Sequence, residues 1–327
     1  MTHTTSKLSL AVFACALTCG AQQTADVQRN GNQIDVSIAG KPFTTYYFDP
    51  KVAKPYLMPL RSAHGTIVTR GYPVGNEVPP GSQRDPSFEP HQRPLYFAHG
   101  NIDGLDFWGE EAFDKMFHDH GKQSYGHMVM QKIDDARGGD PAMIRAEFTL
   151  EDPSGRVIGE ETQAFAFRGD DHTRVIDCEF TVHATHGPLT FGDSKEGTFG
   201  IRVIKDLDSP PAHMVNSVGA EGEKAIWGKR ADWVNYDGKV EGEEVGIAVL
   251  DHPKSFRHPT TWHARGYGLF AANPFGLRDF TRDPKQDGSW TILETKSLTF
   301  RYRVIIHDGD YKTAKIAEAY EKYAAEP

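Results

Sequence analysis

Residues 142–167 read AMIRAEFTLEDPSGRVIGEETQAFAF, and their pattern decides the class of fold. Ala142, Ile144, Ala146, Phe148 and Leu150 fall on every second position, so an extended chain here has one apolar face. Asp152-Pro153-Ser154-Gly155 follows as a turn, because Pro presets φ, Asp hydrogen-bonds locally and Gly tolerates a left-handed backbone. A second strand-like run then continues to Phe167. Together they predict an antiparallel hairpin.

The same reading extends in both directions. Upstream, Gln33–Ala39, Lys41–Phe48 and Gly65–Thr69 read as strands, with Gly40-Lys41-Pro42 and His64-Gly65 as turns. Downstream, Val175–His183, Phe199–Ile204, Val245–Leu250, Trp290–Glu294 and Leu298–Ile306 read likewise, and Gly and Pro punctuate the gaps. Only the end is helical in pattern. Asp310 can cap Tyr311–Ala325, where Ile316, Ala319, Tyr320 and Tyr323 recur at helical spacing. Many short strands and one closing helix predict a mainly β protein, a large antiparallel β-sandwich, with residues 22–327 as a single domain.

Composition bounds the function. With 327 residues, 25% of them charged, and a net charge of -9, the chain is expected to be soluble and offers no basic patch for nucleic acid or an anionic membrane. The first 21 residues differ: Lys7 ends a polar start, Leu8–Ala16 is apolar and Cys19-Gly20-Ala21 supplies small residues. That is the layout of an export signal cleaved after Ala21, and its apolar stretch is too short to span a bilayer. Cys15 and Cys19 raise a lipoprotein variant of the same expectation. Cleavage would leave Cys178 as the sole cysteine, so no internal disulfide is expected. No later segment could cross a membrane as a helix.

The chemistry concentrates in a few clusters. Asp85–Trp108, DPSFEPHQRPLYFAHGNIDGLDFW, carries Glu89, His91, Gln92 and Arg93 on a proline-stiffened loop, then the aromatic run Leu95-Tyr96-Phe97 and His99. Leu95–Ala98 and Phe107-Trp108 read as sheet and packing. Gly192–Gly197 holds Asp193, Lys195 and Glu196, groups suited to acid–base work or to a charged hairpin tip. Asp251–Arg265 holds His252, His258 and His263 with Arg257 and Arg265. His263 and Arg265 would share a face of one strand continuing into Tyr267–Phe270. His118 and His120 stand at strand spacing, which suits a metal, although such pairs are common without one. Trp227–Trp233 mixes tryptophans with charge, the composition of a sugar platform or of a sandwich edge. No phosphate-binding loop, dinucleotide glycine motif, HExxH helix or GxSxG elbow is present, which argues against nucleotide-driven chemistry, zinc proteolysis and serine esterase activity.

Lys54–Arg61, Pro90–Arg93 with Phe97–Gly100, Gly104–Trp108, Glu196-Gly197 with Arg202, and Trp262–Gly268 with Asn273–Gly276 together resemble a bacterial family known as PmoA-like. The resemblance spans nearly all of the chain after residue 21. The family pattern is similar to D-H-P-H-H-R-G in the polar loop, whereas here Glu89, Gln92 and Pro94 stand in place of two histidines and the glycine. A metal site built on that histidine cluster is therefore put in doubt. The methane oxygenase in the family label implies a multispanning membrane subunit, which this chain does not resemble. The family's members resemble secreted proteins of polysaccharide-degrading bacteria. The strand pattern also resembles the β-supersandwich of galactose mutarotase-like aldose epimerases, in architecture alone.

These readings lead to an expected exported carbohydrate-active enzyme that binds a mono- or oligosaccharide. His91 and His263 would be the acid–base imidazoles, Glu196 the complementary carboxylate and Asp193 its backup. Arg93, Arg202 and Arg265 would position hydroxyls or a carboxylate. Trp108 or Trp262 would stack on a ring, with His99 and His252 as further binding candidates. Epimerisation, lyase chemistry and hydrolysis all use such a set. No cofactor or metal ligand set is assigned, and a divalent metal stays open. The alternatives are a non-catalytic glycan-binding protein and a metal-dependent oxygenase.

Overall fold

The computed structural model describes residues 23–70, 91–110 and 124–327. The expected leader 1–21, the 85–90 part of the polar loop and the His118/His120 pair lie outside the described residues.

Two eight-stranded antiparallel sheets make the body. The first runs β1 (Ala25–Asn30), β2 (Gln33–Ile38), β3 (Lys41–Tyr47), β4 (Tyr56–Met58), β5 (Leu95–His99), β11 (Gly197–Arg202), β16 (Leu269–Ala272), β15 (Trp262–Ala264). The second runs β12 (His213–Asn216), β13 (Trp233–Val240), β14 (Glu243–Asp251), β18 (Ser297–Asp308), β9 (Thr173–His183), β8 (Val157–Gly169), β7 (Ala142–Glu151), β6 (His127–Arg137). A small ribbon pairs β10 (Leu189–Phe191) with β17 (Trp290–Ile292). The short helices are α1 (Glu223–Ile226), α2 (Leu277–Thr281) and α3 (Ile316–Ala324). This is the large antiparallel sandwich with a C-terminal helix that the sequence predicts.

The opening hairpin is β7 and β8, paired in register from Ala142–Phe167 to Glu151–Val157. Its alternating apolar residues turn inward, as the period of two requires. The two sheets meet through aromatic pairs: Phe97 stacks on Phe180 at 4.4 Å, Phe199 on Tyr302 at 4.7 Å, and Tyr236 meets Phe270 at 4.7 Å. Each such pair adds about 1 kcal/mol beyond the area it buries. Helix α3 covers the far face of the second sheet with Ile316 and Tyr323, over Trp233, Leu250 and Ile305. Strand β14 is thus buried on both faces, which is why VGIAVL reads as an unbroken apolar run.

Three local expectations change. Residues 65–69 form only isolated bridges, Arg61 with Ile67 and Thr69 with Val203. Helix α3 starts five residues later than expected: Asp310 does receive the Thr313 N–H at 2.7 Å, but Lys315 adopts a left-handed φ of 54° and ends that turn before the helix begins. His263–Phe270 is a hairpin rather than one strand. Gly268, at φ 87°, lets its N–H return to the Arg265 carbonyl at 3.0 Å and sends β16 back along β15.

Both seams between the sheets are laced. Ala25 and Gly139 exchange backbone hydrogen bonds of 3.0 and 2.9 Å, tying β1 to the β6–β7 turn. At the other seam, Trp262 pairs with the 228–231 segment through Gly228 N–H to Trp262 O at 2.8 Å and Trp262 N–H to Lys229 O at 3.1 Å. Helix α1 bridges β12 and β15 there. Among the described residues no helix is long and apolar enough to cross a membrane.

Candidate functional site

Register places the site. Tyr47, Tyr56, Tyr96, Gly200, Ala271 and His263 are successive partners across β3, β4, β5, β11, β16 and β15, so they share one face of the first sheet. The adjacent row, Phe97, Phe199, Ala272 and Trp262, turns the opposite way, into the core against Phe180 and Tyr302. The tyrosine–histidine row is therefore the outer face, turned away from the second sheet.

Gly200 opens a gap in that row. Trp108 and Tyr96 fill it, their rings 4.6 Å apart, and a Cβ at Gly200 would lie 2.8 Å from the Trp108 ring. Asp106 fixes the approach of Trp108 by accepting the N–H groups of Trp108 and Gly109, both at 2.8 Å. Beneath, Glu110 joins two buried cations. Arg93 donates Nε and Nη2 to its two oxygens at 2.9 and 2.6 Å, and Lys54 Nζ reaches Oε1 at 3.0 Å. Arg93 lies over the Tyr56 ring at 4.9 Å and Lys54 over Tyr96 at 5.3 Å.

His263 is held by the loop that carries Glu196. Its Nδ1 lies 2.8 Å from the Lys195 carbonyl, an acceptor, so Nδ1 bears the hydrogen and Nε2 presents a lone pair. Asn273 clamps the same loop, donating Nδ2 to the Ser194 and Lys195 carbonyls at 2.9 Å each. Burial holds the His263 imidazole below its ordinary pKa, with the Glu196 carboxylate opposing. For Glu196 burial pushes upward, but His263, Lys195 and His91 outweigh it and leave the carboxyl below its ordinary value. Its side chain is 31% exposed at the rim and pairs with Lys195.

Arg202, fully buried, projects next to this group. Its Nη1 donates to Gln92 Oε1, and its guanidinium stacks on Tyr267 at 4.4 Å. Burial and the neighbouring Arg70 push it down to about 9, so it keeps its charge at neutral pH. Arg265 also lies over Tyr267, at 5.2 Å, and pairs with Glu223 at 3.0 Å. Several buried polar atoms of this face have no hydrogen-bond partner among the described residues: Tyr96 OH, Trp108 Nε1, His263 Nε2, and Arg202 Nε and Nη2. Buried polar atoms are seldom left so, and a cluster of them on one face marks a place where a polar ligand completes them.

The structure thus gathers His91, Arg93, Trp108, Glu196, Arg202, His263 and Arg265 from distant segments. Four expected residues lie elsewhere. Asp193 is a structural anchor whose carboxylate receives the N–H groups of Arg278 at 3.0 Å and Gly288 at 2.5 Å. His99 points into the core between Phe191 and Phe275, donating Nε2–H to the Gly192 carbonyl at 2.7 Å. Trp262 shares the core-facing row and spends its indole N–H on Ala231 O at 2.9 Å. His252 belongs to the second sheet's end of the molecule, edge-on to Tyr323 of α3. Sequence reasoning missed Glu110 altogether and assigned Tyr96 to packing. A cluster it did not anticipate, His64, Glu243 and Asp308, brings one ligand atom from each within 4.8 Å of the others, and His64 and His172 already share Asp308 Oδ2 at 3.2 and 2.9 Å.

Fold and site together define a large antiparallel β-sandwich that carries a cluster of polar and aromatic side chains on the outer face of one sheet. The chain belongs to a family of unknown function, DUF6807, whose model matches residues 33–321. No curated protein matches it in sequence. Among solved structures, a galactose mutarotase-like protein of Clostridium acetobutylicum is similar at 12% identity and a TM-score of 0.42, over 87% of this chain and 98% of that one. An alpha-galactosidase of Geobacillus stearothermophilus matches at 12% identity and a TM-score of 0.41, over 86% of this chain and 41% of that one. One from Lactobacillus brevis matches at 7% identity and a TM-score of 0.37, over 91% and 42% respectively.

Proposed function

We propose that this chain is an exported carbohydrate-active enzyme that takes a mono- or oligosaccharide on the outer face of its first sheet. The observation that carries this reading is the buried lone pair of His263 Nε2. It is unpartnered, fixed by the Lys195 carbonyl, and shares a face with Tyr96 and Trp108 and the neighbourhood of Glu196. His263 is positioned to accept a proton from the sugar, and the Glu196 carboxylate to stabilise the imidazolium that forms. His91 also borders Glu196 and is the candidate proton donor. Tyr96 OH and Trp108 Nε1 supply donors for sugar oxygens beside an aromatic surface. Epimerisation, elimination and hydrolysis all draw on this set. Residues 1–21 support export.

The test incubates purified protein with a panel of mono- and oligosaccharides and follows products by proton NMR. H263Q and E196Q, made singly, are expected to lose at least 100-fold in turnover while melting within about 2 °C of wild type. Because burial lowers the His263 pKa, the acidic limb of kcat/KM should fall below pH ~6.5. Full activity in both variants would sink the assignment. Binding without product over days would make the chain a glycan-binding protein instead.

A further inference from the structure

This inference rests on the sugar site proposed above. We propose that its ligand is an acidic sugar, a uronate, whose carboxylate is received by Arg202.

Nε–H and Nη2–H of a guanidinium point in parallel from one edge, the spacing of two carboxylate oxygens. At two other places in this chain that edge meets a carboxylate: Arg93 grips Glu110 at 2.9 and 2.6 Å, and Arg303 grips Asp177 at 2.5 and 3.1 Å. Arg202 presents the same edge, fully buried, with no hydrogen-bond partner for either nitrogen. Its other contacts are the neutral Gln92 amide and the Tyr267 ring, so neither compensates its charge. Asp208 contributes an attractive field from nearby but makes no hydrogen bond to this edge, and Arg70 adds a second positive charge.

Four other cations of the face each meet a carboxylate. Arg93 and Lys54 hold Glu110, Arg265 holds Glu223 and Lys195 holds Glu196. A neutral sugar could accept these hydrogen bonds yet leave a buried charge uncompensated. A carboxylate supplies both acceptors and the charge. The unpartnered edge belongs to the same face as the other unpartnered atoms, Tyr96 OH, Trp108 Nε1 and His263 Nε2.

The experiment titrates the whole protein by calorimetry with glucuronate, galacturonate and mannuronate and their short oligomers, against glucose, galactose and mannose and theirs. Uronates are expected to bind at least tenfold more tightly than their neutral counterparts. R202K, which keeps the charge and loses the fork, should reduce that preference to threefold or less. In the wild type, the Arg202 Nε–H resonance should move with the uronates and stay with the neutral sugars, a readout that needs no variant to fold. Equal affinity, or a preference for neutral sugars, overturns the inference and leaves the sugar site standing. Binding of neither set overturns both.

Discussion

Replacing Glu110 by Gln should cost the fold about 3–5 kcal/mol, the usual penalty for leaving a buried charge without its partner. Glu110 is the shared counter-ion of Lys54 and Arg93, whose side chains are 0% and 2% exposed, and is itself 6% exposed. Gln keeps the shape and can still accept a hydrogen bond, but it cannot neutralise either cation. With an unfolding entropy of ~2.1 cal/mol/K per residue near 60 °C, a chain of this length loses about 1.5 °C of Tm per kcal/mol. The expected fall is therefore about 4–7 °C by calorimetry at pH 7.5. The acid dependence gives a second check. Burial pushes the Glu110 carboxyl up, but Lys54 and Arg93 outweigh it and hold the folded pKa below its ordinary value. The contribution is then fully present above the ordinary carboxylate pKa and fades as pH falls through the folded one, so the deficit of E110Q should shrink in acid. Adding Lys54→Met to E110Q should recover part of the loss by removing one stranded charge. A fall of less than about 1.5 °C, or a deficit unchanged in acid, would refute the reasoning.

Two further titrations have opposite signs. Burial lowers buried His99 to about 4, so its share of stability is present above its ordinary value and lost as pH falls from about 6.5 to 4, about 3 kcal/mol in all. Urea unfolding of H99Q across that range should show a shallower slope than wild type, and equal slopes would rule the account out. Burial raises Glu161 to about 8, against a single hydrogen bond from Gln163 at 2.7 Å. Its contribution is present below the ordinary carboxylate pKa and lost as pH rises toward 8, so E161Q should gain about 3–5 kcal/mol at pH 8 and almost nothing at pH 4. A destabilised E161Q at pH 8 would contradict this.

The sequence was most legible where one face of a strand meets the core and the other meets solvent. β7, β8 and β9 alternate inside and out, and their limits follow from the period of two. β6 escaped notice because it is an exposed edge with register shifts at Met130/Lys132 and Ile133/Asp135, which scramble the alternation. The site lies in the opposite regime. β5, β11, β15 and β16 are buried on both faces, so LYFAH or TFGIR does not reveal which residue points where. That ambiguity is one of parity. It made Trp262 a candidate beside His263, although register puts only His263 on the face, and it made His99 a candidate where register puts Tyr96 there. Glu110 was invisible for another reason, because its meaning depends on a lysine 56 positions away.

The laced seams bear on what the sheet edges leave free for an added strand. Two open sheets leave four edge strands, here β1, β15, β12 and β6, whose free N–H and C=O groups invite an added strand. Here the β1 edge is stitched to the β6–β7 turn and the β15 edge to the 228–231 segment. β6 carries Lys132, Asp134, Asp135 and Arg137 along a kinked border. At these points an added strand finds less free backbone to template upon.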